Sequence, residues 1–193
     1  MKKEQLTRAD YESVAVLFGC EVEMIMAVAE VESLGAGFDD RNLPVILFER
    51  HIFSRLTNRV FDKVAPDLSN KVPGGYGDVK AQHERLNRAV KLNRDAALQS
   101  ASWGKFQLMG FNYKVCGYAT LQDFINSMYG SEKEQLQGFM YFIDSQGLDS
   151  QLRARDFAGF AKVYNGKDYK RNKYDVKLEA AYLRLAPPRP DPK

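Results

Sequence analysis

Apolar residues recur at helical spacing along most of the chain. Tyr11, Val14, Ala15 and Phe18 share one face of a segment that opens at Thr7-Arg8-Ala9-Asp10 and ends at Gly19. The opening resembles a capping box with Asp in place of Glu, and the glycine is a stop signal, so a helix is predicted over 7–18. A second helix is predicted over 21–33, before Leu34-Gly35-Ala36-Gly37. The apolar run Val45-Ile46-Leu47-Phe48 after Pro44 fits either a short strand or a buried helix start. Glycine density makes Pro73-Gly74-Gly75-Tyr76-Gly77 a loop. A polar helix is predicted near 79–98 and a loop at 100–104. Further helices are predicted near 120–129, 132–146, 155–164 and 174–185. The class is mainly α, with at most a small β element near residues 36–50. Residues 1–185 read as a single domain. Four of the seven prolines crowd the end of the chain, so 186–193 reads as a Pro-rich flexible tail.

One polar residue breaks the pattern. With Glu32 set at zero and about 100° per residue, Ile25 falls at roughly +20°, Val28 at −40° and Ala29 at +60°. Glu30 and Glu23 fall near 160° and 180°, on the polar face. Glu32 therefore sits amid the apolar one. Burial there raises a carboxyl above its reference pKa of about 4.3, as a general acid near neutrality requires. The alternative is a helix-terminal Glu that points to water or pairs with a base such as Arg50.

Composition narrows the chemistry. The 193 residues are 45% hydrophobic and 27% charged, which excludes a disordered chain and a collagen-like one. The net charge of +3 favours anionic partners only weakly. No apolar run reaches the roughly 20 residues of a membrane span, and no apolar stretch follows Lys2-Lys3 to make a secretory signal. Cys20 and Cys116 match no CxxC spacing and read as free thiols. His51 and His83 are the only histidines and no HExxH is present, so neither a metal nor another cofactor is expected.

Three strings add a resemblance. Ala29-Glu30-Val31-Glu32-Ser33 resembles the catalytic Glu-Ser element of lysozyme-like muramidases and lytic transglycosylases. Trp103-Gly104-Lys105-Phe106-Gln107-Leu108-Met109 resembles their Gly-Leu-Met-Gln element, and Val163-Tyr164-Asn165-Gly166 their Tyr-Asn-Ala-Gly element. With 31–38, 46–53, Gly74-Gly75-Tyr76-Gly77 and 100–107, residues 7–184 resemble the phage and bacterial N-acetylmuramidase domain. Phe157 stands where Trp is expected and Leu108 where Ile is expected.

The resemblance implies a lysozyme-like fold and cleavage of the β-1,4 bond between N-acetylmuramic acid and N-acetylglucosamine. Glu32 would be the general acid. Glu49 would be the second carboxylate, ranked above Asp39 and Asp40 because it follows a rigid apolar run rather than two glycines. Gln107, Tyr164, Asn165, Tyr76 and Trp103 are the candidate substrate contacts. Trp103 reads equally as core, and Gln107 as an amide satisfied by backbone.

The partner expected is the peptidoglycan glycan strand, met by a monomer, with no nucleic acid and no membrane insertion. A nucleic-acid reading fails because 21–33 carries four glutamates and no base. A chain made in the cytoplasm without a signal peptide would reach the periplasm or cell wall by holin release or by secretion. It would act there as a phage endolysin or an antibacterial, type VI effector. The rival within the fold is a lytic transglycosylase giving 1,6-anhydro products. Basic residues at 80–94 and 167–177 read as solvated faces or as attraction to an anionic wall.

Overall fold

The structure is a computed structural model that describes residues 2–33, 35–166 and 169–187. The last six residues of the proline-rich tail and Lys167 of the second basic group lie outside the described residues. The chain is mainly α. Helices α1 (Arg8–Phe18), α2 (Val22–Glu32), α3 (Arg50–Leu56), α4 (Gln82–Leu92), α5 (Arg94–Gln99), α6 (Leu121–Gly130), α7 (Glu132–Ser145), α8 (Asp149–Ala154), α9 (Phe157–Tyr164) and α10 (Tyr174–Leu185) carry the fold. One antiparallel sheet, in order β1-β2-β3, joins β1 (Ile46–Phe48), β2 (Ala101–Trp103) and β3 (Leu108–Met109). The chain divides into two compact units, Met1–Gln5 with Leu34–Phe142, and Leu6–Ser33 with Ile143–Lys193.

The second unit is helical. The Thr7–Asp10 capping box forms at the start of α1, and Gly19 closes that helix in the left-handed conformation. Helix α2 is its hub. Met24, Ile25, Ala27, Val28 and Ala29 are buried along it, and α10 and α1 pack against it. Helix α10 also packs on α9, and α1 on α8. One expectation fails here. Glu23, assigned to the polar face, is buried because α1 covers it, and Arg8 of α1 pairs with it at 2.6 Å.

The first unit is built on the sheet. Ile46 pairs with Trp103 and Phe48 with Ala101. Every residue of β2 is buried, where the sequence predicts a loop at 100–104. The sheet thus reaches to 101–109, beyond the 36–50 region. Three-residue strands buried on both faces are too short to show an alternation. The polar helix predicted near 79–98 divides at Asn93, which is extended at φ −157° and caps α5 by accepting from the Ala96 N–H. A 3-10 turn over Val79–Ala81 precedes it. Helices α3 and α8 were not anticipated as separate elements.

The turn from β2 to β3 is tied to α7. Gly104 has φ +71°, and a Cβ there would lie 2.6 Å from Gln135 Cδ, so glycine is required on both counts. Gln135 is fully buried; its Oε1 accepts the Lys105 N–H at 2.8 Å and its Nε2 donates to the Met128 carbonyl at 2.9 Å. Glu132, also buried, accepts the Gly37 N–H at 2.7 Å and pairs with Lys105 at 3.3 Å. Below them Phe106 stacks on Phe139 with centroids 4.3 Å apart.

The Leu98 carbonyl accepts the Trp103 indole N–H at 3.0 Å, and Gly110 packs against the same carbonyl. A Cβ on Gly110 would lie 2.1 Å from that oxygen, a contact with backbone that no rotamer relieves. Gly110→Ala is expected to cost about 2–3 kcal/mol, the scale of overpacking a filled core. Urea unfolding measures it, with Gly35→Ala, where no atom lies within 4 Å, as the strain-only comparison.

Candidate active site

Glu32 is the last residue of α2, on the face that buries Ile25, Val28 and Ala29. The helix ends because Ser33 turns extended at ψ 148°. Asn165, the C-cap of α9, donates its Nδ2 to Glu32 Oε1 at 3.2 Å and to Oε2 at 3.4 Å. Burial pushes the Glu32 carboxyl above its ordinary range; the Asn165 bond and the charge of Lys177 on α10 oppose this without cancelling it. The other carboxylates near α2 differ. Glu30 pairs with Arg184, Glu23 with Arg8, and Glu21 with Arg155 while accepting the Tyr182 hydroxyl. Among the described residues Glu32 has an amide, and no cation, within pairing distance. Asn165 Oδ1 is buried and has no hydrogen-bond partner. Tyr164 stacks on Phe160 at 5.6 Å and stays partly exposed beside Asn165.

The first unit holds Glu49, Tyr76, Gln107 and Trp103. Glu49 is the N-cap of α3, fixed where β1 ends by its N–H bond to the Ser100 carbonyl at 2.9 Å. Its side chain is 16% exposed. Oε1 accepts the Tyr76 hydroxyl at 3.1 Å. His51 Nδ1 lies 3.1 Å from Oε2, within ion-pair range but not aligned as a hydrogen bond, so both atoms lack a hydrogen-bond partner. Arg50, next to Glu49 in the chain, donates to the Val72 carbonyl at 3.1 Å.

Tyr76 is held from behind. Gln82 Nε2 donates to its carbonyl at 2.6 Å while Gln82 Oε1 accepts the Phe48 N–H at 3.0 Å. Arg85 also donates to the Tyr76 carbonyl, and its guanidinium lies 5.7 Å from the Phe48 ring centroid. Gly75 has φ +68°, and a Cβ there would lie 2.6 Å from the Arg50 guanidinium carbon. Gln82 and Arg85 were missed as functional supports. Arg85 read as a solvated helix face, and only its distance from the Gly-Gly-Tyr-Gly loop, one or two helical turns, could have flagged it.

Two expected substrate contacts are otherwise engaged. Trp103 is 1% exposed and its indole N–H is bonded to Leu98, so the ring belongs to the core and has no face to offer a sugar. The Gln107 amide is spent on the turn: Nε2 donates to Gly104 and Val45 carbonyls at 2.8 and 3.3 Å, and Oε1 accepts from Ser102 at 2.7 Å. Asp39 pairs with Arg41 and accepts the Leu43 N–H, which orders the 39–43 turn and holds its carboxyl below the usual range despite some burial. Asp40 is exposed. Both cysteines are free, and burial pushes the Cys20 and Cys116 thiols up to about 11 and about 12, the opposite of what a nucleophile needs. Among the described residues no cluster of three or more His, Cys, Asp or Glu could hold a metal, and no helix is long and apolar enough to cross a membrane.

Comparison with known proteins agrees with these elements. Residues 21–186 match the Muramidase (N-acetylmuramidase) family. No curated protein sequence matches the chain. Among solved structures it is similar to the Burkholderia AP3 phage endolysin, with a TM-score of 0.87 and 42% identity over 94% of this chain and 71% of that one. The helical, small-sheet architecture is accordingly lysozyme-like. The chain belongs to the N-acetylmuramidase family and is a peptidoglycan hydrolase, a glycoside hydrolase of the lysozyme type.

Proposed function

We propose that the chain cleaves the β-1,4 bond between N-acetylmuramic acid and N-acetylglucosamine, with Glu32 protonating the leaving oxygen. The observation that carries this reading is a part-buried carboxyl raised above its ordinary range, with an amide and, among the described residues, no cation within pairing distance. Such a group keeps its proton closer to neutrality, where a general acid must hold it. Once the proton has left, the Asn165 Nδ2 bonds stabilise the carboxylate. The buried Asn165 Oδ1 is a spare acceptor for a substrate N–H, or for protonated Glu32 after rotation of the amide.

Glu49 serves as the second carboxylate, positioning water or supporting an oxocarbenium-like transition state. Its fixed N-cap position and its Tyr76 bond support it over Asp39, which is committed to a turn, and over exposed Asp40. Tyr76, Tyr164 and Asn165 are the substrate contacts. The work is lysis of the bacterial wall, by a phage endolysin released through a holin or by a secreted antibacterial effector. The similar Burkholderia phage protein is an endolysin, which favours the first.

Glu32→Gln is expected to fold and to lose at least about 10²-fold activity, the scale of a general acid. Glu30→Gln, which loses only the exposed pair with Arg184, is expected to remain near wild type. Mass spectrometry of fragments from purified peptidoglycan is the measurement. It also reports the new end: reducible N-acetylmuramic acid is expected, and 1,6-anhydro ends would make the chain a transglycosylase.

The same carboxyl sets a pH dependence of stability. Its pKa is higher folded than unfolded, so the stability this one group contributes is fully present below about pH 4 and is lost as pH rises through the raised value. Glu32→Gln removes that loss. Its Tm is expected at or above wild type at pH 7, with the gap closing near pH 4. A variant less stable than wild type at pH 7 but equal to it at pH 4 would make Glu32 a structural carboxylate.

For the second acid, Glu49→Gln is expected to lose activity and Asp40→Asn to keep it, each with an unchanged Tm. The opposite pattern would move the role to the 39–43 turn.

A further inference from the structure

Helix α3 and the turns after it line an open concavity of about 450 Å³, within the range of ligand pockets. Its walls are His51, Ser54, Arg55, Asn58, Arg59 and Lys71. Three of these are permanent cations, and no carboxylate is among them.

Other arginines of this unit spend their charge inside the chain. Arg41 pairs with Asp39, Arg88 with Asp67 and Arg94 with Asp95. Arg55, Arg59 and Lys71 make no ion pair with a described residue. The nearby acids are committed elsewhere. Asp62 borders the concavity through the buried Ser54 hydroxyl, accepts the Ser69 hydroxyl at 2.6 Å, and meets Arg59 and Lys71 through their charge without an ion pair. Glu49 holds Tyr76.

The backbone is shaped around this cluster. Asn58 and Arg59 are both left-handed, at φ 51° and 64°, and neither is glycine. Asparagine tolerates that region, whereas at Arg59 it costs about 1 kcal/mol or more. The Arg59 N–H closes the turn on the Ser54 carbonyl at 2.7 Å, so a strained turn presents two of the six wall residues. His51 connects the concavity to the Glu49 site, since its Nδ1 lies 3.1 Å from Glu49 Oε2.

Guanidinium forks, an ammonium and an imidazole together recognise an oxyanion. We propose that this concavity binds a carboxylate of the peptide stem attached to the glycan strand, so that the enzyme reads the peptide as well as the sugar. The inference rests on the proposed cleavage reading, in which Glu49 meets the glycan. A stem carboxylate is tethered to that glycan and so arrives at high effective concentration, which a free phosphate does not.

The test compares stem-bearing wall fragments with glycan strands stripped of peptide by an amidase. Arg59→Gln/Lys71→Gln is expected to raise KM on the stem-bearing substrate by about tenfold, the scale of a lost charged hydrogen bond, with kcat unchanged. On stripped strands neither constant is expected to change. Lys71→Gln alone, at an exposed turn position, repeats the test should the double variant unfold. An equal KM change on both substrates, or none on either, overturns the proposal. Titration calorimetry of the wild type uses free stem peptide, the same peptide with amidated carboxylates, and inorganic phosphate. Binding of the first alone is expected, and tighter binding of phosphate overturns the stem assignment. If the wild type cleaves neither substrate, the cleavage reading fails, and the titration still decides what the concavity holds.

Discussion

Asn165 meets Glu32 through a neutral amide, and the chemistry of the second unit depends on that choice. An arginine at this distance would lower the carboxyl's pKa by about 1–3 units and fix it as a carboxylate. Glu23, on the same helix, has such a partner in Arg8, which holds its carboxyl below the usual range despite burial. Glu32 instead feels burial most strongly, and the amide returns only part of what burial takes. The apolar sequence of α2 is what makes this possible. A helix buried along Met24, Ile25, Ala27, Val28 and Ala29 carries its last residue out of bulk water by geometry alone.

The first unit solves a different problem, holding a polar loop still without burying it. The loop bearing Tyr76 has glycine on both sides and little apolar surface of its own. Its position comes from Gln82 and Arg85 on one side and from the close approach of Arg50 at Gly75 on the other. Gln82 bonds both the loop and the edge of β1, so loop and sheet are registered to each other. Tyr76 can then orient Glu49, whose main chain is already fixed at the sheet and at α3. Rigid placement of this kind is what positioning a water or a charge requires.

Much of this was legible in the sequence, for identifiable reasons. The helices over 8–18, 22–32, 121–130, 132–145, 157–164 and 174–185 carry period, cap or stop signals that local chemistry enforces. Glu32 was legible because a carboxylate among apolar neighbours violates the helical pattern. The split at Asn93 was not, because the same residue type serves inside a polar helix and as an N-cap. Strand β2 was hidden by its length. Trp103 and Gln107 each carry two readings in the sequence because a string that resembles a cleft element mixes roles. In 103–109 the tryptophan fills the core, Gly104 and Gln107 build the turn, and Lys105 reaches α7. Such a string marks a tight structural constraint as readily as a chemical one, and only the contacts separate the two.

The two features of greatest functional weight share a physical character. Glu21, Glu23 and Glu30 around α2 each have an arginine partner, which is the cheap arrangement for a folded chain. Among the described residues Glu32 has no cation within pairing distance, and the concavity beside α3 is lined by three cations that make no ion pair. Each departure is unfavourable for folding: one by desolvation, the other by like charges brought together on a strained turn. Natural sequences break local rules of this sort where a ligand or a reaction supplies what the fold withholds. A glycan oxygen able to take a proton and an oxyanion able to meet three cations are complementary to the two departures, and a peptide-bearing sugar polymer presents both on one molecule.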